Sequence, residues 1–301
     1  MPKVEVIIPA YNAAKYLSIA LESVIAQTFH DWRIILVDDG SKDATPEVAA
    51  AYQKKLGDRL VYIRQTNAGP SAARNLAIRH STAEFLALLD ADDIWPPNRL
   101  HDSLQSFEGR PSVGLTYGFN TRIGPDGSII DTFDSRQPHG EGWIAPYLYM
   151  RLVDLPCPTI TFRRECVDRV GFFDETLRAS EDRDLWLRIS LQYEVALVPH
   201  LLGHYRTSPE SATTDSDLML NAQLRFIQKH YGVKGCGWIA RRRALAGIYR
   251  QRAETFANRQ QLWKALKSSL RAVAYYPPDK RTLRTALSVL LISMGLRRRR
   301  R

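Results

Sequence analysis

The first ninety residues alternate four short apolar runs with three segments of helical period, and this order narrows the fold more than any other feature of the chain. Lys3 to Ile8 is strand-like and ends at Pro9. Asn12 is a helix-capping residue type placed before an apolar face of Ala14, Leu17, Leu21 and Val24, at spacings of three and four. Trp32 to Val37 is mostly apolar, as a strand buried on both faces must be, and stops at Asp38-Asp39-Gly40-Ser41. Thr45-Pro46 reads as an N-cap followed by proline at the first helical position, opening a helix to about Leu56. Leu60 to Arg64 is the third strand, Asn67-Ala68-Gly69-Pro70 opens a helix to about Arg79, and Glu84 to Leu89 is the fourth strand. A βαβαβαβ order predicts a parallel sheet covered by helices on both faces.

Later segments are less regular. Val113 to Ile123 and Ser128 to Thr132 flank Gly124-Pro125-Asp126-Gly127 and predict a hairpin. Residues 133 to 158 are rich in proline, glycine and aromatics, show no period, and read as a long surface loop. Thr159 to Arg163, Tyr193 to Val198 and Leu201 to Arg206 read as short strands, and Glu181 to Leu191 as a helix. From Asp217 onward the period is helical, with a break at Pro277-Pro278.

Charge divides the chain at a similar place. Residues 234–301 hold 18 Lys and Arg against Glu254 and Asp279, a net of +16, whereas residues 1–233 hold 24 Lys and Arg against 30 Asp and Glu, a net of −6. A basic tail on an acidic body points to an anionic partner for the tail, either nucleic acid or a membrane surface. Cys157, Cys166 and Cys236 are widely spaced and form no C-x-x-C pair, which argues against a disulfide framework or a zinc site and suits a reducing cytosol.

In an open α/β sheet, ligands bind beyond the carboxyl ends of the strands. Three such ends are polar here: Pro9-Ala10-Tyr11-Asn12, Asp38-Asp39-Gly40 and Asp90-Ala91-Asp92-Asp93. Each alone is an ordinary turn. Together, acids after two buried strands would repel one another unless a cation lay between them. Asn67 to Asn75 starts a helix with small residues and places Arg74 about one turn in, where free N–H groups and a guanidinium suit a phosphate. Neither G-x-G-x-x-G nor G-x-x-x-x-G-K-[ST] occurs, which removes support for a dinucleotide fold or a P-loop. In "SEDRDLWLRI", Ser180 can cap a helix whose apolar stripe is Leu185, Trp186 and Ile189. Glu181 suits the first turn of that helix. Asp182 falls near the middle of the stripe, where a carboxylate costs energy unless it has a partner or a task.

Four segments in register, "VIIPAYNAAKYLSIALESVIAQTFHDWRIILVDDGSKDAT", "NAGPSAARNLAI", "FLALLDADDIWPPNRL" and "GFFDETLRASEDRDLWLRI", resemble the family-2 inverting glycosyltransferases over residues 3 to about 210. The resemblance implies a GT-A fold, which is α/β and Rossmann-like, with a mostly parallel sheet and helices on both faces. It implies a catalytic domain over 1–215, with a nucleotide-sugar half at about 1–110 and an acceptor half at about 111–215, followed by a helical, basic extension over 216–301. Pro9, Tyr11 and Asp39 would border the nucleotide base, with Asp38 close by. Gly69 and Arg74 would lie near the nucleotide or its diphosphate, and Asp90 near the ribose. Asp90-Ala91-Asp92 matches the D-x-D motif, so that Asp92 would hold Mn²⁺ or Mg²⁺ on the two phosphates. Asp182 matches the aspartate of the E-D motif, the expected general base. The donor would be a nucleotide-diphosphate sugar, a UDP-sugar being favoured, and the acceptor a carbohydrate or lipid-linked molecule in surface-polysaccharide or glycolipid assembly. Many relatives carry a His after a Tyr-Arg pair. This chain has Ser208 there, in "HYRTSPES", with His204 nearby. Processive members have several membrane-spanning helices and a Q-x-x-R-W motif, and without these one sugar per event is expected.

The tail has its own signature. Ala286 to Leu296 is an apolar run of eleven residues followed by five Arg. As a helix it would reach only about 16 Å, against about 30 Å of bilayer core. Two readings fit: an interfacial helix on anionic lipid, peripheral to the inner face of the cell membrane, or a core helix with a solvated polybasic end. The alternative is a nucleic-acid-binding protein acting through the basic region. No nucleic acid is expected, because the tail lacks a stacking platform.

Overall fold

The computed structural model describes residues 1–133, 140–207 and 216–293. Its first four strands are β1 (Val4–Ala10), β2 (Trp32–Asp38), β3 (Leu60–Arg64) and β4 (Phe85–Leu88). They lie in the order β3-β2-β1-β4, all parallel, with Ile7 beside Ile35 on one side and Leu88 on the other. The connections are the helices α1 (Leu17–Ile25), α2 (Thr45–Leu56) and α3 (Pro70–His80). Val4, Val6, Ile8, Ile34 and Leu36 share one buried cluster with Leu17, Leu21 and Val24 of α1 and Ala49 of α2. The alternate residues Ile7, Ile35 and Val37 are also fully buried, and α3 packs on β1 and β2. Burial on both faces is why these strands read as continuous apolar runs.

Two capping expectations fail. Asn12 lies in the left-handed region at φ 49° and does not cap α1. Its side-chain oxygen instead accepts from the Lys42 N–H at 2.9 Å, tying the loop after β1 to the loop after β2. Thr45 is the first residue of α2 and not its cap, and Asp43 accepts its backbone N–H at 3.0 Å.

After β4 come α4 (Arg99–Gln105), β5 (Val113–Ile123), β6 (Ile129–Phe133), α5 (Ala145–Tyr149), β7 (Thr161–Arg163), α6 (Arg164–Val170), α7 (Glu181–Ser190) and β8 (Glu194–Arg206). The sheet changes direction at β4, which pairs antiparallel with β7. β5 pairs antiparallel with β7 and β6 and parallel with β8, completing a mixed eight-stranded sheet. The hairpin forms as expected. The stretch expected to be one long loop contains α5, and the two strands expected between Tyr193 and Arg206 are one strand. Its register against β5 slips around Phe119, beside Pro199-His200, which is why the sequence reads as two pieces.

The chain divides into two compact units, Met1–Ala145 with Val153–Ser211, and Pro146–Leu152 with Ala212–Arg301. The second unit is helical, with α8 (Ser216–Lys229), α9 (Trp238–Asn258), α10 (Leu262–Tyr275) and α11 (Lys280–Ser293). Pro277-Pro278 separates α10 from α11. Phe256, Ala257, Ala265 and Val289 form its small core, and the Tyr149 hydroxyl donates to the Ile227 carbonyl at 2.9 Å.

Candidate active site

The carboxyl ends of β1, β2 and β4 lie along one edge of the parallel quartet, and the loops leaving β1 and β2 are tied to one another. The Asp39 N–H donates to the Ala10 carbonyl at 2.8 Å, and the Asn12 N–H to the Ser41 hydroxyl at 3.0 Å. Pro9 sits half-buried at the end of β1, and Tyr11 is exposed just beyond it.

The paired acids after β2 have separate tasks. Asp38 is fully buried. It accepts from the Ser41 N–H at 2.8 Å and the Tyr62 hydroxyl at 3.0 Å, and pairs with Arg64 at 3.3 Å. Burial, with Asp38 as its acceptor, pushes the Tyr62 phenol up to about 12. Asp39 accepts from the N–H groups of Ala68 and Gly69, each at 2.8 Å, and from the Gln65 amide at 2.7 Å. Its carboxylate thereby stabilises the positive end of α3 and sets the loop that brings Arg74 inward. Gly69 immediately precedes α3 at φ 93°, a conformation that favours glycine.

Arg74 is the centre of the arrangement. It is 6 % exposed. One guanidinium nitrogen donates to Asp90 at 2.7 Å and another to Glu181 at 3.2 Å. Burial works against its charge, but Asp90 and Glu181 hold it firmly protonated. The D-x-D segment after β4 and the E-D pair opening α7 are thus joined by one side chain. The sequence position of Glu181 points only to the helix dipole. Its partner Arg74 is 107 positions away, and nothing local in the sequence marks the pairing.

The three aspartates of the β4 loop differ. Asp90 pairs with Arg74. Asp93 is 1 % exposed; one carboxylate oxygen accepts the Arg206 N–H at 2.8 Å and the other has no partner. Burial, and then the charges of Asp90 and Asp92, push its carboxyl well above the usual range. Arg206 also donates to the Asp92 carbonyl at 2.8 Å and to the Gly124 carbonyl at 2.9 Å, while its guanidinium lies over the Tyr16 ring. Arg206 therefore fixes the loop, a role that nothing in "HYRTSPES" announces. Ser208, two positions on, lies outside the described residues. The backbone of His204 bridges to Ile94, and burial lowers the pKa of its ring.

Asp92 makes no ion pair among the described residues. Burial, and then the Asp90 charge, push its pKa up to about 6. It is a carboxylate short of positive charge, the condition a bound cation relieves. Among the described residues no cluster of three His, Cys, Asp or Glu makes a complete ligand set. Mg²⁺ and Mn²⁺ need few protein oxygens when phosphates supply others. The residues fit an ion shared with a bound diphosphate and do not fit an all-protein cage.

Asp182 opens α7 beside Glu181. Burial, and then the Glu181 charge, push its pKa up to about 6. Ser180 precedes the helix in the left-handed region at φ 63° and makes no side-chain cap, so that expectation also fails. A non-glycine residue held there is strained, and such strain persists only where neighbours over-determine it. Further along α7, Asp184 is fully buried and paired with Arg188 at 2.9 Å, which in turn donates to the carbonyls of Val170, Gly171 and Phe172. Cys157 belongs to the same neighbourhood: burial, then Asp90, with Asp182 and Glu181 also contributing, push its thiol well above the usual range.

Residues 5–169 match the Glycosyl transferase family 2 description. An uncharacterized glycosyltransferase of Nostoc sp. is 33 % identical over 56 % of this chain and 53 % of its own. Another from Rickettsia typhi is 31 % identical over 64 % of this chain and 61 % of its own. The chain thus spans between half and two thirds of these relatives. Among solved structures, a Staphylococcus aureus TarS fragment in complex with UDP superposes with a TM-score of 0.63 at 20 % identity, over 99 % of this chain and 93 % of the fragment. A Pyrobaculum calidifontis mannosyltransferase in complex with GDP-Man and Mn²⁺ gives 0.63 at 19 % identity, over 99 % of this chain and 81 % of its own. The sheet, the acids at its edge and these likenesses agree: the chain belongs to glycosyl transferase family 2 and has a GT-A fold.

Proposed function

We propose that the chain transfers one sugar, with inversion, from a nucleotide-diphosphate sugar to an acceptor hydroxyl on a carbohydrate or lipid-linked molecule, in surface-polysaccharide or glycolipid assembly. The observation that carries this reading is the double pairing of Arg74 with Asp90 and Glu181, which joins a donor-side motif to the pair containing a candidate base. Complexes of the structural neighbours with UDP, UDP-GlcNAc and GDP-Man support the donor class, and UDP is favoured.

In this reading Pro9, Tyr11 and Asp39 border the base, with Asp38 holding their loop, Gly69 and Arg74 lie toward the diphosphate, and Asp90 toward the ribose. Asp92 would hold Mn²⁺ or Mg²⁺, and a bound ion would neutralise charge on the departing group. Asp182 accepts the proton of the attacking hydroxyl, and the raised pKa suits that role, because a base works best when its pKa lies near the working pH. The attack comes from the face opposite the leaving diphosphate, which inverts the anomeric centre.

The test is thermal stabilisation by a panel of sugar nucleotides, with Mn²⁺, with Mg²⁺ and with a chelator, followed by product analysis with the stabilising donor. A metal-dependent shift with one nucleotide class, and inverted product by NMR, is the expected outcome. Retained anomeric configuration, or no shift with any sugar nucleotide, would overturn it.

A further inference from the structure

Two helices of the second unit carry their bulk on the outside. α10 buries Ala265, Ser268, Ser269 and Ala272, and leaves Trp263 76 % and Leu270 61 % exposed. α11 buries Thr282 and Val289, and leaves Leu283, Leu287 and Leu290 exposed. A helix packed only to serve a water-soluble bundle turns its large apolar residues inward and its small polar ones outward.

The cations follow the same arcs. At about 100° per residue, Leu270, Trp263, Lys267, Arg271 and Lys264 succeed one another around one exposed arc of α10. Leu290, Leu283, Leu287, Lys280 and Arg284 do so around one exposed arc of α11. Neither helix contains an Asp or Glu. The start of α9 repeats the combination, with exposed Trp238 and Ile239 and with Arg242 lying over the Trp238 ring.

We propose that this unit rests on an anionic lipid surface, with the exposed arcs of α10 and α11 in the headgroup layer. Apolar side chains enter the acyl boundary and the flanking Lys and Arg meet lipid phosphates, the two contributions that interfacial helices combine. No helix among the described residues is long and apolar enough to cross a membrane, so the contact is a surface one. A second copy is a poor occupant, because arcs rich in cations and without acids would face like charge. Nucleic acid would leave the leucines without a role. The expected interfacial segment, Ala286 to Leu296 with its five Arg, falls partly outside the described residues; the exposed apolar face begins earlier, at Trp263. This inference goes beyond glycosyl transfer and requires no particular donor or acceptor.

The experiment is sedimentation of the full chain with vesicles of neutral phosphatidylcholine, with and without phosphatidylglycerol. Wild type should partition strongly only with the anionic vesicles. Leu283→Ser/Leu287→Ser and Trp263→Ser/Leu270→Ser should each weaken that partition by about tenfold while melting like wild type, because the replaced side chains are solvent-exposed. Lys264→Glu/Lys267→Glu/Arg271→Glu should abolish the preference for anionic vesicles. Brominated lipids should quench wild-type tryptophan fluorescence more than that of Trp263→Phe. The proposal is overturned by unchanged partition of the apolar variants, which would assign binding to Arg297 to Arg301 alone. It is also overturned by no vesicle binding, whether or not the chain binds duplex DNA or forms a dimer that the leucine variants lose. Each outcome is read without turnover, so failure here leaves the donor-binding test intact.

Discussion

Replacing Asp182 by asparagine should make the protein more stable and less active at the same time. The carboxyl's pKa rises from 3.8 to about 6 in the fold, through burial first and Glu181 second. The native state therefore binds this proton more tightly than the unfolded chain does, so the group favours folding at low pH and its penalty develops as pH rises from about 4 to about 6. A shift of about two units corresponds to roughly 3 kcal/mol at neutral pH, and relaxation at a partly open site lowers this to about 1–3 kcal/mol. The replacing amide carries no charge, so Asp182→Asn should raise unfolding free energy by that amount at about pH 7.5, and by about half as much at about pH 5. Urea unfolding of both proteins at the two pH values measures the difference. Turnover with the stabilising donor should fall about 10²–10⁴-fold while donor affinity holds. A variant no more stable than wild type at neutral pH would refute the electrostatic reasoning, since the carboxylate would then be a net support for α7, through the Arg183 N–H that donates to it at 2.6 Å. Full turnover would refute the role as base.

Further predictions concern the surrounding groups. With Asp182 as base, the wild-type rate should climb with pH to a plateau above about pH 6, and a rate already flat through that range by pH–rate profile would count against it. Arg74→Met leaves Asp90 and Glu181 without their shared cation and should cost about 3–5 kcal/mol in urea unfolding, part of it recovered in Arg74→Met/Glu181→Gln. Asp93→Asn keeps an oxygen for the Arg206 N–H and should preserve Mn²⁺-dependent donor binding by calorimetry, whereas Asp92→Asn should lose it; equal losses would erase the distinction drawn between them. Gly40 sits at φ 75°, and a Cβ there would come within 2.9 Å of the Asn67 backbone nitrogen. Gly40→Ala should therefore destabilise the protein by about 1–3 kcal/mol in thermal or urea melts and weaken donor binding through the loop that Asp39 holds.

The parallel quartet is legible because strands buried on both faces leave unbroken apolar runs, and each run here ends in polar residues at the edge where the site forms. Leu60–Arg64 has the bounds its sequence predicts. What fails is short or long-range. α4 and α6 have seven residues each, too few to display a helical period. The capping expectations at Asn12, Thr45 and Ser180 rest on residue type alone, and tertiary hydrogen bonds or an unusual backbone conformation take precedence. At the site, the acids can be located one by one. Their pairings cannot, because Arg74 and Glu181 are 107 positions apart and Asp93 and Arg206 are 113.

That last separation has a consequence for how the protein is made. The quartet β1–β4 is complete in sequence by Leu88, but the strand that caps the acidic loop ends only at Arg206. On the ribosome, the sheet edge and its three aspartates emerge well before the N–H and guanidinium that hold Asp92 and Asp93 in place. Burial of Asp93 against the Arg206 N–H therefore waits on the arrival of β8. Assembly from the N-terminus thus makes completion of this candidate site a late event in the life of the nascent chain.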